Sequence, residues 1–516
     1  MSRILIKNGH IVTADNADRC FAPGYVVIKN DRIIDVGPWP PKHDSLVEAD
    51  FDEVIDATDR IVMPGFINAH MHSNESFEQG AYDNLPLELW LARAYPPSGV
   101  PALGPEENYL RSMIVAIQSL RSGVTTIQDD VINSYAKEDF VDAAVEGAVR
   151  AYADAGLRSV VTVSFINTNF ADGRPFMRDI LPADKLAHVD ASPAPDYRAQ
   201  IAQFNDLYAK WQGYKGRTNI ILGPMSPQRI TTPFWEEIND ISRSRGIAVH
   251  CHVDETRNQA VTGRLFYGSS MIEHLATIGA LSPRLTINHG IWVTDRDIEL
   301  LAEHGCSVTH NPLSNMKLGS GVCPVRKMLR AGVNVAIGTD GTSTSDTGDM
   351  IEAIRAASLL HRLEGKHHDE WITALDVFNM VLQGGARSTL MQTEIGSIEA
   401  GKKADIILLD RNDWGFIPLA DPVRQLAFSV NSGAVRTTIV DGQVVMRDRE
   451  LCHIDENALR IQVSALAERY RTEYWPAMQQ GAESILPYLE EMLRRSAMYP
   501  MPEFAAERNA YLKRPA

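Results

Sequence analysis

Through the middle of the chain, short apolar runs rich in β-branched residues alternate with longer stretches whose apolar positions recur at helical spacing. The short runs cover 65–72, 124–128, 159–165, 219–223, 247–252, 285–289, 307–310 and 333–338. Runs this brief, apolar on both faces, read as buried strands. Helices are expected between them at 106–120, 140–155, 197–211, 233–244, 270–278, 295–304 and 325–330. Thr232 before Pro233 has the form of an N-cap followed by proline at the first helical position. Thr294 with Asp297 reads as a capping box, and Gly305 ends that helix. Eight strands alternating with helices predict an α/β fold, a (β/α)8 TIM barrel. A doubly wound open sheet would need a G-x-G-x-x-G opening, which the chain lacks.

Both ends of the chain change texture. Residues 4–11 alternate loosely, and 25–29 and 32–36 flank Asn30-Asp31 as a hairpin. Strand-like runs return at 404–409 and 435–440, then at 444–447 after the tight turn Asp441-Gly442. One small β-sandwich domain built from residues 1–62 and 395–450 is expected, with a catalytic barrel at 63–394 inserted into it. Residues 451–516 read as a helical extension, apolar at Ala458, Ile461, Val463 and Leu466 and again at Ile485, Leu489 and Met492. It is expected to pack on the barrel or on a second copy, in a homodimer or higher homo-oligomer, with no part in the chemistry.

Composition narrows the class without changing the fold. The 516 residues are 44% hydrophobic and 22% charged, with a net charge of −16. That balance argues against nucleic acid or an anionic membrane as the main partner. Five cysteines without C-x-x-C spacing imply no disulfide framework and point to a reducing compartment. The N-terminus lacks the long apolar core of a signal peptide, and no apolar run approaches the ~20 residues of a membrane span. A cytoplasmic protein is expected.

The chemistry concentrates where the strands end. In IVMPGFINAHMHS, His70 and His72 stand two apart on a strand and so face the same way. Downstream runs end in His250-Cys251-His252-Val253-Asp254-Glu255, in His289, in His310 and in Asp340. Active sites of such barrels lie at the C-terminal ends of the strands. Histidines and an aspartate converging there form a donor set suited to a divalent metal. Cys251 and His250 read as structural neighbours of His252.

These stretches resemble the amidohydrolase superfamily, in particular its aminohydrolases of cytosine, guanine, adenosine derivatives and s-triazines. PGFINAHMH, GAYDNLPLELWL, HVDET, INHG, HNPLSNMKLGSG, GTDG and IGSIEAGKKADIILL carry the resemblance, in family order up to about residue 450. It implies metal ligands at His70, His72, His252 and Asp340, a proton-shuttling Glu255, and a polarising His289. Asp340 would also take a proton from the attacking water. No lysine stands at the end of the fourth barrel strand, where binuclear relatives carry a bridging one. One divalent metal is therefore implied, zinc or alternatively iron. The implied reaction is hydrolytic removal of an exocyclic amine from a nitrogen heterocycle. Hydrolysis of an amide, urea or ring carbon–halogen bond is the alternative. A catalytically silent assembly protein on the same fold would have lost ligands that are all present here.

Two departures bear on the substrate. Adenosine-type members often carry Arg-Gly where this chain has Gln79-Gly80, and Pro-His-Ala-Pro-Tyr where it reads Pro224-Met225-Ser226-Pro227-Gln228. We expect Gln79, Trp90, Gln228 and His310 to line the pocket. Neutral amides would read an uncharged ring with mixed donors and acceptors.

Overall fold

The computed structural model describes residues 2–41, 46–131, 138–191, 194–364 and 367–504. Its centre is an eight-stranded parallel sheet. The barrel strands are β1 (Phe66–Met71), β2 (Val124–Val131), β3 (Arg158–Phe165), β4 (Thr218–Pro224), β5 (Val249–Val253), β6 (Leu285–His289), β7 (Ser307–His310) and β8 (Asn334–Ile337). Each pairs with the next in order. The ring closes through side chains and one backbone bond. Asp340 N–H donates to the His70 carbonyl at 3.0 Å, and Asn68 bridges Thr339 through both its amide atoms. Gly338 permits this approach, since a Cβ there would lie 2.7 Å from that of His70. The strands match the apolar runs because both of their faces are buried, one inside the barrel and one beneath helices.

The helices fall where their spacing placed them, with small shifts at the ends. Thr294 and Asp297 form the expected capping box on Asp295–Glu303. The helix Thr232–Arg245 begins one residue early, so that Thr231 is its N-cap. The sequence reading did not place several helices, among them Leu87–Ala94, Ala183–Ala191, Arg257–Tyr267, Met350–Leu360, Ala374–Asn379 and Pro422–Phe428.

The chain ends meet in a second sheet. What the sequence suggested as a sandwich is one mixed nine-stranded sheet, hydrogen-bonded throughout. Arg60–Pro64 joins the two halves, pairing with His10 and Ile11 on one side and with Ile406–Asp410 on the other. Ile4, Ile6, Val26, Ile28, Ile406 and Ile439 share a core of its own. Ile61, Met63, Ile407 and Leu409, on alternate positions of two of these strands, join the barrel's core instead. At the seam, buried Arg158 of β3 makes a two-pronged bond to Asp405 (both 3.1 Å) and a third to Asp441 (3.1 Å).

The C-terminal extension is helical over Glu456–Arg469, Trp475–Glu483 and Leu486–Met498. In the first helix the buried positions are Leu459 and Leu466, while Ile461 is 73% exposed and Ala458 faces solvent. The apolar face expected there is thus rotated. No helix among the described residues is long and apolar enough to cross a membrane.

Candidate active site

The C-terminal ends of the barrel strands bring His70, His72, His252, His289, Glu255 and Asp340 together. Three of the turns that do so are left-handed at non-glycine residues: Asp254 (φ 52°), His289 (φ 71°) and Asp340 (φ 62°). At these points the chain leaves the strand direction and turns a side chain toward the barrel axis. Strain of this kind concentrates at functional sites.

Asp340 Oδ1 lies 3.3 Å from His70 Nε2 and 3.3 Å from His72 Nε2. His252 Nε2 lies 3.4 Å from His72 Nε2. A tetrahedral shell with bonds of roughly 2.0–2.1 Å to nitrogen has edges of roughly 3.3–3.4 Å, so these donors fit one divalent ion. The outer nitrogens of two histidines are already engaged. His72 Nδ1–H donates to the Asp130 carbonyl at 2.6 Å, and His252 Nδ1–H to the Met225 carbonyl at 3.2 Å. This fixes the tautomer that leaves Nε2 available for a metal. His70 is fully buried with neither ring nitrogen hydrogen-bonded, and burial pushes its pKa down to about 3. A buried neutral imidazole with no partner is the form a metal ligand needs. A rival triad, His70, Asp130 and His250, is also close enough to hold an ion. There, however, Asp130 Oδ1 is taken by the Thr162 and Ser164 hydroxyls, and His250 Nδ1 lies 3.2 Å from the Asn288 amide.

Two further groups face this cluster. His289 Nε2 is 3.7 Å from Glu255 Oε1 and 3.9 Å from Asp340 Oδ2. Its Nδ1–H is held by Asn315 Oδ1 at 3.0 Å, which aims Nε2 inward. Burial, reinforced by Asp340, Glu88 and Glu75, raises the Glu255 pKa well above the usual carboxylate range. Asp340 goes the other way. Burial alone would raise it, but the imidazole of His70, 3.3 Å away, and the other imidazoles around it bring it well below the usual carboxylate range. Two carboxylates with pKa values driven apart are suited to separate acid and base work.

These residues floor a cavity of about 1140 Å³, counting its open mouth. Trp90 and Gln228 line it, as expected from the sequence. Gln79 does not. It is exposed outside the cavity, where its Nε2 donates to the Asp346 carbonyl at 2.6 Å. His310 is also outside it, fully buried on β7 with its ring centroid 5.2 Å from that of His361. The end of a four-residue strand points it into the packed barrel, where sequence position alone suggested the pocket.

Sequence reasoning missed several lining residues. Glu75, three residues past His72, enters the cavity wall and accepts hydrogen bonds from Ser343 Oγ (2.8 Å) and the Tyr95 hydroxyl (3.1 Å). Gly341 makes room for it, since a Cβ there would fall 1.9 Å from Glu75 Oε2. Glu88, Arg174 and Arg229 also line the cavity, against the expectation of neutral amides alone. The signal for Glu75 was its place in the loop after β1, at the catalytic end of the barrel.

The fold and this cluster define a metal-dependent barrel hydrolase, and comparison with known proteins identifies which kind. Residues 61–445 match the model of the amidohydrolase family, so the chain belongs to that family. It is a hydrolase acting on carbon–nitrogen bonds other than peptide bonds. It is 32% identical over 470 residues to a 5'-deoxyadenosine deaminase of Methanosarcina mazei, covering 91% of this chain and 98% of the relative. It is 34% identical over 446 residues to a 5-methylthioadenosine/S-adenosylhomocysteine deaminase of Thermococcus kodakarensis, covering 86% and 94%. Among solved structures, a zinc-bound adenosine deaminase from Xanthomonas campestris superposes with TM-score 0.78 at 26% identity, over 91% of this chain and 99% of the other. A triazine hydrolase from an Arthrobacter species gives 0.81 at 22% identity, over 90% and 100%, a likeness of fold alone.

Proposed function

We propose that the chain is a mononuclear, zinc-dependent aminohydrolase that converts an amino-substituted nitrogen heterocycle and water into the oxo heterocycle and ammonia. The observation that carries this reading is the convergence of Glu255, Asp340 and an inward-facing His289 on one set of metal donors, with His289 Nε2 3.7 Å from Glu255 Oε1 and 3.9 Å from Asp340 Oδ2. His70, His72, His252 and Asp340 would hold the zinc, whose chemistry is to make water nucleophilic near neutral pH. Glu255 donates its proton to the ring nitrogen as the water oxygen adds to the neighbouring carbon, then takes the hydroxyl proton of the adduct and passes it to the amine as the C–N bond breaks, and is restored by the proton that Asp340 took from the water. Asp340 accepts the proton released by the water. His289 Nε2 faces the charge that develops on the oxygen. The zinc-bound structural neighbour supports zinc over iron.

The relatives' names point to adenosine derivatives as substrates. Of the two departures from their motifs, Gln79 stands outside the cavity and has no bearing on ring recognition. Met225 and Gln228 do line it, so the ring or its substituent is read differently here. The test is ammonia release from a panel of purine nucleosides, pterins, pyrimidines and triazines. The reading requires stoichiometric ammonia and an oxo product from at least one amino heterocycle. Turnover confined to amides, ureas or halogenated rings would replace it with the alternative reaction.

We also infer a homo-oligomer. Trp414 (87% exposed), Leu363 (71%), Ile417 (50%) and Phe428 (37%) lie on or beside neighbouring segments near the helix Pro422–Phe428. Light scattering should give at least twice the chain mass, and a monomer at working concentration would refute it.

A further inference from the structure

The cavity has a wall that neither the family pattern nor the ligand set accounts for. Ile485, Leu489 and Met492, spaced along one stripe at the start and middle of the C-terminal helix Leu486–Met498, line it together with Leu87, Leu91 and Phe170. The family model ends at residue 445, so this wall comes from beyond it. The extension was expected to have no part in the chemistry, yet it shares the cavity with Glu255, His289 and Asp340.

The wall is fixed to the catalytic segment. Ser496 Oγ donates to Asn258 Oδ1 at 2.7 Å, a buried bond, and Asn258 itself lines the cavity three residues past Glu255. The Arg257 guanidinium donates to the carbonyls of Ser496 (3.3 Å), Ala497 (3.4 Å) and Tyr499 (2.7 Å), which gathers the end of the helix. Lysine or arginine at a helix C-terminus is favourably placed for such bonds. Two of the polar groups in the lining have protein partners. Thr256 Oγ1 donates to Glu88 at 2.6 Å, and Arg174 donates to the Phe170 carbonyl (3.0 Å) while lying 3.9 Å over that residue's ring. Glu88, Arg174 and Arg229 bring charged groups to the same lining, while the stripe Ile485, Leu489 and Met492 offers a ligand apolar surface.

Building on the aminohydrolase reading above, we propose that the C-terminal helix is the specificity wall of this enzyme. Its substrate is a heterocycle that carries an apolar substituent, with the ring amine at the metal end and the substituent laid along Ile485, Leu489 and Met492.

The proposal can be tested by calorimetric titration of the zinc-loaded full-length protein with acetohydroxamate and hexanohydroxamate. Both probes chelate zinc through the same head group, and they differ only in an apolar tail longer by four methylenes. If the tail reaches the wall, each methylene buried tightens binding about fourfold, so the longer probe binds on the order of 100-fold more tightly. Leu489→Ala should leave acetohydroxamate affinity unchanged and cut the advantage of the longer probe by about tenfold, the equivalent of about two methylenes. The milder Ile485→Val removes one methylene and should cut it by up to about fourfold, which keeps the test open if the alanine variant fails to fold. No tail advantage in wild type, or the same advantage in a folded variant, overturns the wall while leaving the metal reading intact. A zinc-treated wild type that binds neither probe overturns the metal reading and this proposal with it.

Discussion

Asp254, His289 and Asp340 occupy backbone conformations that cost an L-residue roughly 1–3 kcal/mol each, and each lies at or just after the end of a barrel strand. The strain is tolerated because the turns aim side chains at a common point. Their neighbour Glu255 has the sharpest assigned role, since burial raises its pKa while the imidazoles around Asp340 lower that of the aspartate. Glu255→Gln preserves shape and hydrogen bonding but removes the proton shuttle, so kcat should fall ~10²–10⁴-fold while metal content stays at wild-type level. His252→Ala should instead lose both, because it deletes a donor 3.4 Å from His72 Nε2. Metal analysis alongside steady-state rates separates the two cases. A Glu255→Gln enzyme with near-normal kcat would remove Glu255 from the chemistry.

The elements show what a sequence can and cannot disclose. Strands β1–β8 were legible because burial on both faces leaves an unbroken apolar run, and β6 and β7 agree with the reading to the residue. The cluster at their ends was legible because barrel topology carries strand-end residues to one mouth. Arg257–Tyr267 was not, since its apolar residues fall in two short groups, Ala260-Val261 and Leu265-Phe266-Tyr267, and Leu265 and Phe266 are each 40% exposed. The stripe Ile485, Leu489 and Met492 was visible as apolar, but periodicity does not say what a face packs against. Gln79 and His310 went astray for a related reason, because position near a strand end does not give the direction of a side chain.

Two contacts between elements make predictions of their own. The Arg158 fork ties β3 to the terminal sheet through Asp405 and Asp441. Arg158→Ala would leave the buried Asp405 carboxylate without its cation, although Asp441 keeps Lys403 at 3.2 Å, and urea unfolding should show a loss of about 3–5 kcal/mol. An unchanged midpoint would mean the seam is held by its apolar contacts alone. Glu78 accepts from Tyr470 of the extension (2.6 Å) and from Tyr82 (3.1 Å). Burial pushes its carboxyl up to about 7 from an ordinary value of 4.5, with Tyr470 and Arg111 opposing the shift. Over that window the folded state therefore holds a proton that the unfolded chain releases, so stability falls as pH rises from about 4.5 to about 7. Glu78→Gln should flatten that part of the thermal stability profile, and an unaltered slope would count against the buried charge.

At the scale of the molecule, the chain wraps a catalytic barrel between two additions that do different jobs. The terminal sheet closes over the end of the barrel away from the site, and the C-terminal helix closes part of its mouth. The net charge of −16 argues against nucleic acid as the main partner. The central claim is that one metal ion, held by His70, His72, His252 and Asp340, makes this barrel a deaminase. Its most direct test is to strip the protein with a chelator and titrate zinc back while following ammonia release from the best heterocyclic substrate. Activity should be absent in the stripped protein, rise in proportion to added zinc and level off at one zinc per chain. Full turnover without metal, or a plateau reached only at two, would contradict it.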